Sequence, residues 1–141
     1  IADGLEEKTG KPHHNLKAAT FNEAVREMSI LSTALGADPA TAYGLPGVGD
    51  LEVTGLSGRN KVYGVRIGRG EGAKAALATM ADLEQTVEGV PALPLAIQLV
   101  EQSAPQIKEK LPLLYAARRV VEADDPDYAD IVAQAVLPPR P

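Results

Sequence analysis

RNKVYGVRIGRGEGA, at residues 59–73, can be read in two ways, and the choice fixes the fold class. Asn60 to Ile67 alternates like a strand, yet Val62, Tyr63, Arg66 and Ile67 also cluster at the spacing of one helix face. As a strand, the run would lead into Gly68, Gly70 and Ala73, a G-x-G-x-x-A string ahead of a helical segment and so the outline of a dinucleotide-binding turn. That reading needs a βαβ unit of about 30 residues, and the sequence after Ala73 offers helices but no second apolar strand. The neighbouring segments are helical, so residues 59–67 are predicted as helix and the glycines as a helix end and turn.

Working outward, Asn15 to Leu35 places Leu16, Ala19, Val25, Met28, Leu31 and Leu35 mostly three or four residues apart, which predicts a long amphipathic helix. Asn15 is its expected N-cap and Gly36 its end, and Asp38 before Pro39 is expected to cap a shorter helix. Ala73–Gln85, Pro91–Gln102, Ile107–Ala123 and Pro126–Val136 read as further helices, and the tail LPPRP as frayed. No pair of alternating strands or hairpin turn is present, so the expected class is all-α.

Between the first helices and residue 59 lies GLPGVGDLEVTGLSGRN, residues 44–60, read as a glycine-rich loop. It presents Asp50, Arg59 and Asn60: an acceptor, a forked cation and an amide, a set suited to a small anionic polyol. From Gly58 to Lys74 the charges are Arg59, Lys61, Arg66, Arg69 and Lys74 against Glu71, a local +4 in a chain of net charge −5. Most of that cluster is expected to be a solvated helix face, with Arg59 set apart by its place beside Asn60 at the loop. The adjacent His13 and His14 read as exposed loop residues rather than metal ligands.

The 141 residues, 45% of them apolar, match a single domain with one core. The absence of Cys excludes a disulfide framework and a thiolate nucleophile. No apolar run approaches the roughly 20 residues needed to cross a bilayer, and the start IADGLEEKTG has no basic n-region or apolar signal core, so a soluble, cytoplasmic protein is expected. The negative net charge, with one Phe and four Tyr, argues against a nucleic-acid surface. The first residue, Ile1, is not Met, which suggests a piece of something longer.

NLKAA (15–19), GADP (36–39), GVGDL (47–51), GRN (58–60), YGVRIGRG (63–70) and VEG (87–89) occur in that order. Together they resemble the C-terminal domain of NAD(P)-dependent sn-glycerol-3-phosphate dehydrogenase, from about Asp3 to Leu114. The resemblance implies a multi-helical fold like the 6-phosphogluconate dehydrogenase C-terminal-like domain. It also implies a complete enzyme of glycerol phosphate and phospholipid metabolism that interconverts sn-glycerol 3-phosphate and dihydroxyacetone phosphate with NAD or NADP.

By the same resemblance Asp50 is the substrate-site aspartate near the catalytic lysine, Arg59 binds the substrate phosphate and approaches the nicotinamide cofactor, Asn60 is its hydroxyl- or phosphate-binding neighbour, and Glu88 reaches the cofactor. Gly58 stands where many bacterial members have a substrate-binding Ser, with Ser57 one position earlier, and Thr86 where they often have Val. The stretch EEKTGKPHH between Leu5 and Asn15 is longer than the family's usual short turn. The general acid/base lysine and the dinucleotide-binding Rossmann domain are expected upstream of Ile1, and Lys17 is expected to be a helix-surface lysine. The chain is therefore expected to be a substrate-binding domain that forms a homodimer and has no activity on its own. A related two-domain hydroxyacid or keto-acid reductase and a non-catalytic dimerisation module are the competing expectations.

Overall fold

A computed structural model describes residues 1–137, and within them every regular element is helical. The α-helices are α1 (Ala2–Thr9), α2 (His14–Ala34), α3 (Ala40–Tyr43), α4 (Asp50–Ser57), α5 (Arg59–Arg69), α6 (Ala73–Asp82), α7 (Gly89–Ser103), α8 (Pro112–Ala123) and α9 (Tyr128–Val136). A π-helical turn spans Leu45–Gly49 and a 3₁₀ segment spans Pro105–Lys110. The expected all-α class holds; the expected fraying of the tail falls mostly on residues 138–141, outside the described residues.

The deciding stretch is helix and buries one face, although Val62 of the expected apolar set stays exposed. Tyr63, Ile67 and Gly68 of α5 are buried, and Gly70 ends the helix at φ +103°, a left-handed conformation that costs glycine little. The amides of Gly70 and Glu71 close onto the carbonyls of Ile67 and Arg66, so the G-x-G-x-x-A string is a helix end followed by the start of α6.

Helix α1, which was not among the expected helices, lies across α5 at very close range. A Cβ on Gly4 would sit 2.0 Å from the Val65 carbonyl oxygen and 2.8 Å from the Arg69 nitrogen. Both are backbone atoms that cannot rotate aside. Gly4→Ala is therefore expected to destabilise the protein: overpacking typically costs about 1–3 kcal/mol, against the 0.5–1 kcal/mol, roughly, by which Ala favours a helix interior. Thermal denaturation checks this, and a melting temperature equal to or above that of the parent would refute the close crossing.

Several boundaries differ from expectation. The long helix starts at His14 with His13 at the N-cap, so Asn15 is inside it. The Glu6 carboxylate of α1 accepts from the His13 amide at 2.6 Å, which fixes the start from outside the segment. Gly36, at φ +85°, closes the other end as expected. Asp38 Oδ1 accepts from the Ala40 amide at 2.9 Å, and the helix it caps is a single turn. The expected Ile107–Ala123 helix is broken: Leu111 sits at φ −121° and ψ 52° because Pro112 disfavours helical geometry in the residue before it. Residues 5–9 are helix, which shortens the loop read around the histidines.

The core has two parts. Leu5, Leu16, Tyr63, Ile67, Ala76, Met80, Val120 and Ile131 belong to the larger, and Val100, Ala104, Ile107 and Leu111 form the smaller against α2. Glu27 of α2 is the buried charged residue at their junction with α8. Its carboxylate accepts from the amides of Leu113 (2.5 Å) and Leu114 (2.9 Å), capping a helix whose own N-cap, Leu111, has no side-chain acceptor. Burial pushes the Glu27 carboxyl up to about 7, outweighing the two amide donors.

Candidate functional site

Residues 44–60, expected to be a loop, are mostly helical. Gly44 is extended (φ −91°, ψ −166°), the π-helical turn follows, and α4 begins directly at Asp50. The glycines allow tight winding rather than an open loop: a Cβ on Gly47 would meet the Ala42 carbonyl oxygen at 2.0 Å. Asp50 and Glu52 lie in the first turn of α4, where negative charge is favoured by the helix dipole. Asp50 is exposed.

Gly58 separates α4 from α5. It is extended (φ −66°, ψ 157°), donates its amide to the Thr54 carbonyl at 2.9 Å, and its carbonyl accepts from the Val62 amide at 3.1 Å. A Cβ there would lie 2.6 Å from the Thr54 oxygen, so this geometry has no room for a serine side chain at 58.

Arg59 and Asn60 follow as the first two residues of α5, where free amides and the helix dipole favour anions. Both reach the start of α7. Arg59 Nη2 pairs with Glu88 Oε1 at 2.9 Å, and Asn60 Oδ1 accepts from the Gly89 amide at 3.0 Å. That second bond fixes the amide's orientation: its oxygen is committed, leaving Nδ2 as the group available to a ligand. Arg59 and the free end of Asn60 are therefore a donor-only pair, matched to an oxyanion.

Of the expected site residues, the structure brings Arg59, Asn60 and Glu88 together. Among the described residues it forms no bond between Asp50 and any of them, Asp50 being at the far end of α4, about 12 Å of helix from Gly58. With 50–57 helical, Thr54 falls one turn after Asp50 on the same face. That neighbour has no sequence signal of its own, since it depends on residues 50–57 being helix rather than the expected loop.

The positive cluster is largely neutralised by acids from elsewhere. Beyond Arg59 with Glu88, Lys61 pairs with Asp3 at 2.6 Å and donates to the Gly55 carbonyl at 2.8 Å. Arg66 pairs with Glu71 at 3.0 Å, and Arg69 with Glu7. Lys17 pairs with Asp3 and Glu6, so it is a tie between α2 and α1 rather than a plain surface lysine. Lys17, then Lys61, hold the Asp3 carboxyl down to about 2. That contribution to stability is present above the ordinary carboxylate range and is lost as pH falls towards 2. His14, the first residue of α2 rather than a loop residue, has a side chain 79% exposed, whereas His13 is half-buried at the N-cap.

A cavity of about 720 Å³ opens beside this network. Leu51, Glu52, Gly55 and Leu56 of α4 line it together with Lys17, Lys61 and Phe21. At 100° per residue these α4 positions face away from Asp50, so the cavity and the expected site lie on different sides of α4.

Residues 1–129 match the family described as the NAD-dependent glycerol-3-phosphate dehydrogenase C-terminus, and the chain belongs to that family. Among its relatives is a glycerol-3-phosphate dehydrogenase (NAD(P)+) of Symbiobacterium thermophilum, 35% identical over 137 residues, covering 89% of this chain and 39% of the relative. One of Geobacter metallireducens is 34% identical over 139 residues, covering 97% of this chain and 38% of the relative. One of Chlorobium limicola is 42% identical over 92 residues, covering 64% of this chain and 26% of the relative. The chain thus spans about two fifths of the length of the first two. No solved structure matches it. No helix among the described residues is long and apolar enough to cross a membrane.

Proposed function

We propose that this chain is the substrate-holding domain of a dehydrogenase that interconverts sn-glycerol 3-phosphate and dihydroxyacetone phosphate with NAD or NADP. The observation that carries the reading is the donor-only pair of Arg59 and Asn60 at the N-terminus of α5, in a chain of this family. Arg59 neutralises the substrate phosphate through its guanidinium fork, and Asn60 Nδ2 donates to a phosphate or hydroxyl oxygen. Asp50 keeps a general acid/base lysine, supplied from outside this chain, oriented and charged beside the C2 oxygen. Gly58 contributes backbone rather than a side chain. Hydride transfer at C2 would be supplied by a bound nicotinamide cofactor. Glu88, exposed beside Arg59, offers acceptors to its hydroxyl or amide groups. The substrate lies between this domain and a dinucleotide-binding domain, and the complete enzyme is a homodimer.

The purified 141-residue chain is expected to show no turnover of dihydroxyacetone phosphate with NADH or NADPH, since the positioned acid/base alone contributes typically about 10²–10⁴ in rate and hydride transfer needs the other domain. The full-length protein, assayed by loss of nicotinamide absorbance, is expected to turn over. Turnover by the isolated chain, or a full-length protein that reduces keto acids in preference to dihydroxyacetone phosphate, would overturn the reading.

A further inference from the structure

We infer that Glu88 is a built-in competitor for the anion site: its carboxylate occupies Arg59 in the free protein, and an incoming phosphate must displace it. The inference rests on the reading of Arg59 as the phosphate-binding residue. Its observations lie at the junction of α5 and α7. Arg59 and Glu88 meet at 2.9 Å, 29 residues apart in sequence, so the contact is made by the fold rather than by neighbouring position. The Asn60–Gly89 bond beside it pins the backbone that carries Glu88 to the backbone that carries Arg59. The fold thus holds Glu88 within reach of the guanidinium. The side chains are 51% and 73% exposed, so the pair is weak enough for a dianion to break.

An exposed pair of this kind is held by an interaction that corresponds to a few-fold change in an equilibrium constant. A phosphate dianion places up to two charges and three acceptor oxygens against Arg59, Asn60 Nδ2 and the first amides of α5, where Glu88 places one charge. Exchange thus favours phosphate, at the expense of part of its affinity. It follows that Glu88 acts as a positioning residue that keeps Arg59 extended toward α7 and raises the concentration of anion needed to fill the site.

The test is titration of the 141-residue chain with sn-glycerol 3-phosphate at low ionic strength, followed by amide chemical shifts of α5 and α7. Glu88→Gln removes the competing charge, while Glu88→Asp keeps the charge but withdraws it by one methylene. Both are expected to tighten binding by about 2- to 5-fold. Glu71→Gln, which removes an acid paired with Arg66 instead, is expected to change binding by less than about 1.5-fold. Arg59→Ala is expected to abolish saturable binding. If Arg59→Ala loses binding while neither Glu88 variant tightens it, the displacement idea is wrong and the phosphate reading stands. Tightening by Glu88→Gln but not by Glu88→Asp would mean a general charge effect and would also overturn it. If Arg59→Ala binds as the parent does, or the parent does not bind, the reading of Arg59 falls and the inference with it.

Discussion

If the full-length protein is the dehydrogenase proposed above, Arg59→Ala is expected to lower its kcat/KM for glycerol 3-phosphate by roughly 10- to 150-fold. A hydrogen bond to a charged group is worth about 1.5–3 kcal/mol, and each 1.4 kcal/mol, roughly, is tenfold. The exposed Arg59–Glu88 pair offsets little of this, because such pairs contribute at most about 1 kcal/mol. Steady-state kinetics with glycerol 3-phosphate and with unphosphorylated glycerol separate the phosphate contribution from a general loss of activity. The phosphorylated substrate should suffer and the unphosphorylated one should not. Lys61→Ala is the comparison, since its ammonium is already taken by Asp3 and the Gly55 carbonyl, and it should change kcat/KM far less. Equal kinetics for Arg59→Ala and the parent would remove Arg59 from the site.

The second large effect concerns stability. Glu27→Ala is expected to cost about 2–4 kcal/mol, because it leaves the Leu113 and Leu114 amides at the half-buried start of α8 without their acceptor and opens a cavity between α2 and α8. For a chain of this length that is a fall in melting temperature on the order of 10 °C. Glu27→Gln retains the shape and one acceptor oxygen, and should lose about half as much. The pH dependence has a definite sign. The folded carboxyl, at about 7, binds its proton more tightly than the unfolded one. Its protonation therefore stabilises the fold fully below the ordinary glutamate range, and that contribution fades as pH rises from there through about 7. Denaturant titrations from pH 4.5 to 8 should show this slope in the parent and a flatter profile in Glu27→Gln. Parallel profiles would show that Glu27 does not titrate in this window.

Both predictions depend on contacts over long sequence separations, which marks the limit of what was legible beforehand. The residue types of the candidate site are legible: Asp50, Arg59 and Asn60 stand out in their window, and of these the structure brings Arg59 and Asn60 together at the start of α7. Their setting is not. The glycines of residues 44–60 lower helix propensity and so point to loop, whereas close packing of the turn at Gly47 onto Ala42 makes compact winding possible there. The positive cluster, expected to be mostly a solvated helix face, is instead paired with Asp3, Glu7 and Glu88, and these partners of Lys61, Arg69 and Arg59 are far away in sequence.

What the sequence determined by itself is the helical class, most helix positions and the residue types offered to a ligand, since these follow from periodicity, caps and side-chain chemistry within short windows. The 59–73 stretch shows the boundary between the two kinds of information. Its helix is written in the spacing of Val62, Tyr63, Arg66 and Ile67. That its glycines let α1 cross it at backbone contact, that Asn60 turns its amide nitrogen outward, and that Glu88 holds Arg59 were decided by the tertiary structure. Each depends on which distant backbone or carboxylate arrives beside it, and no local pattern encodes that.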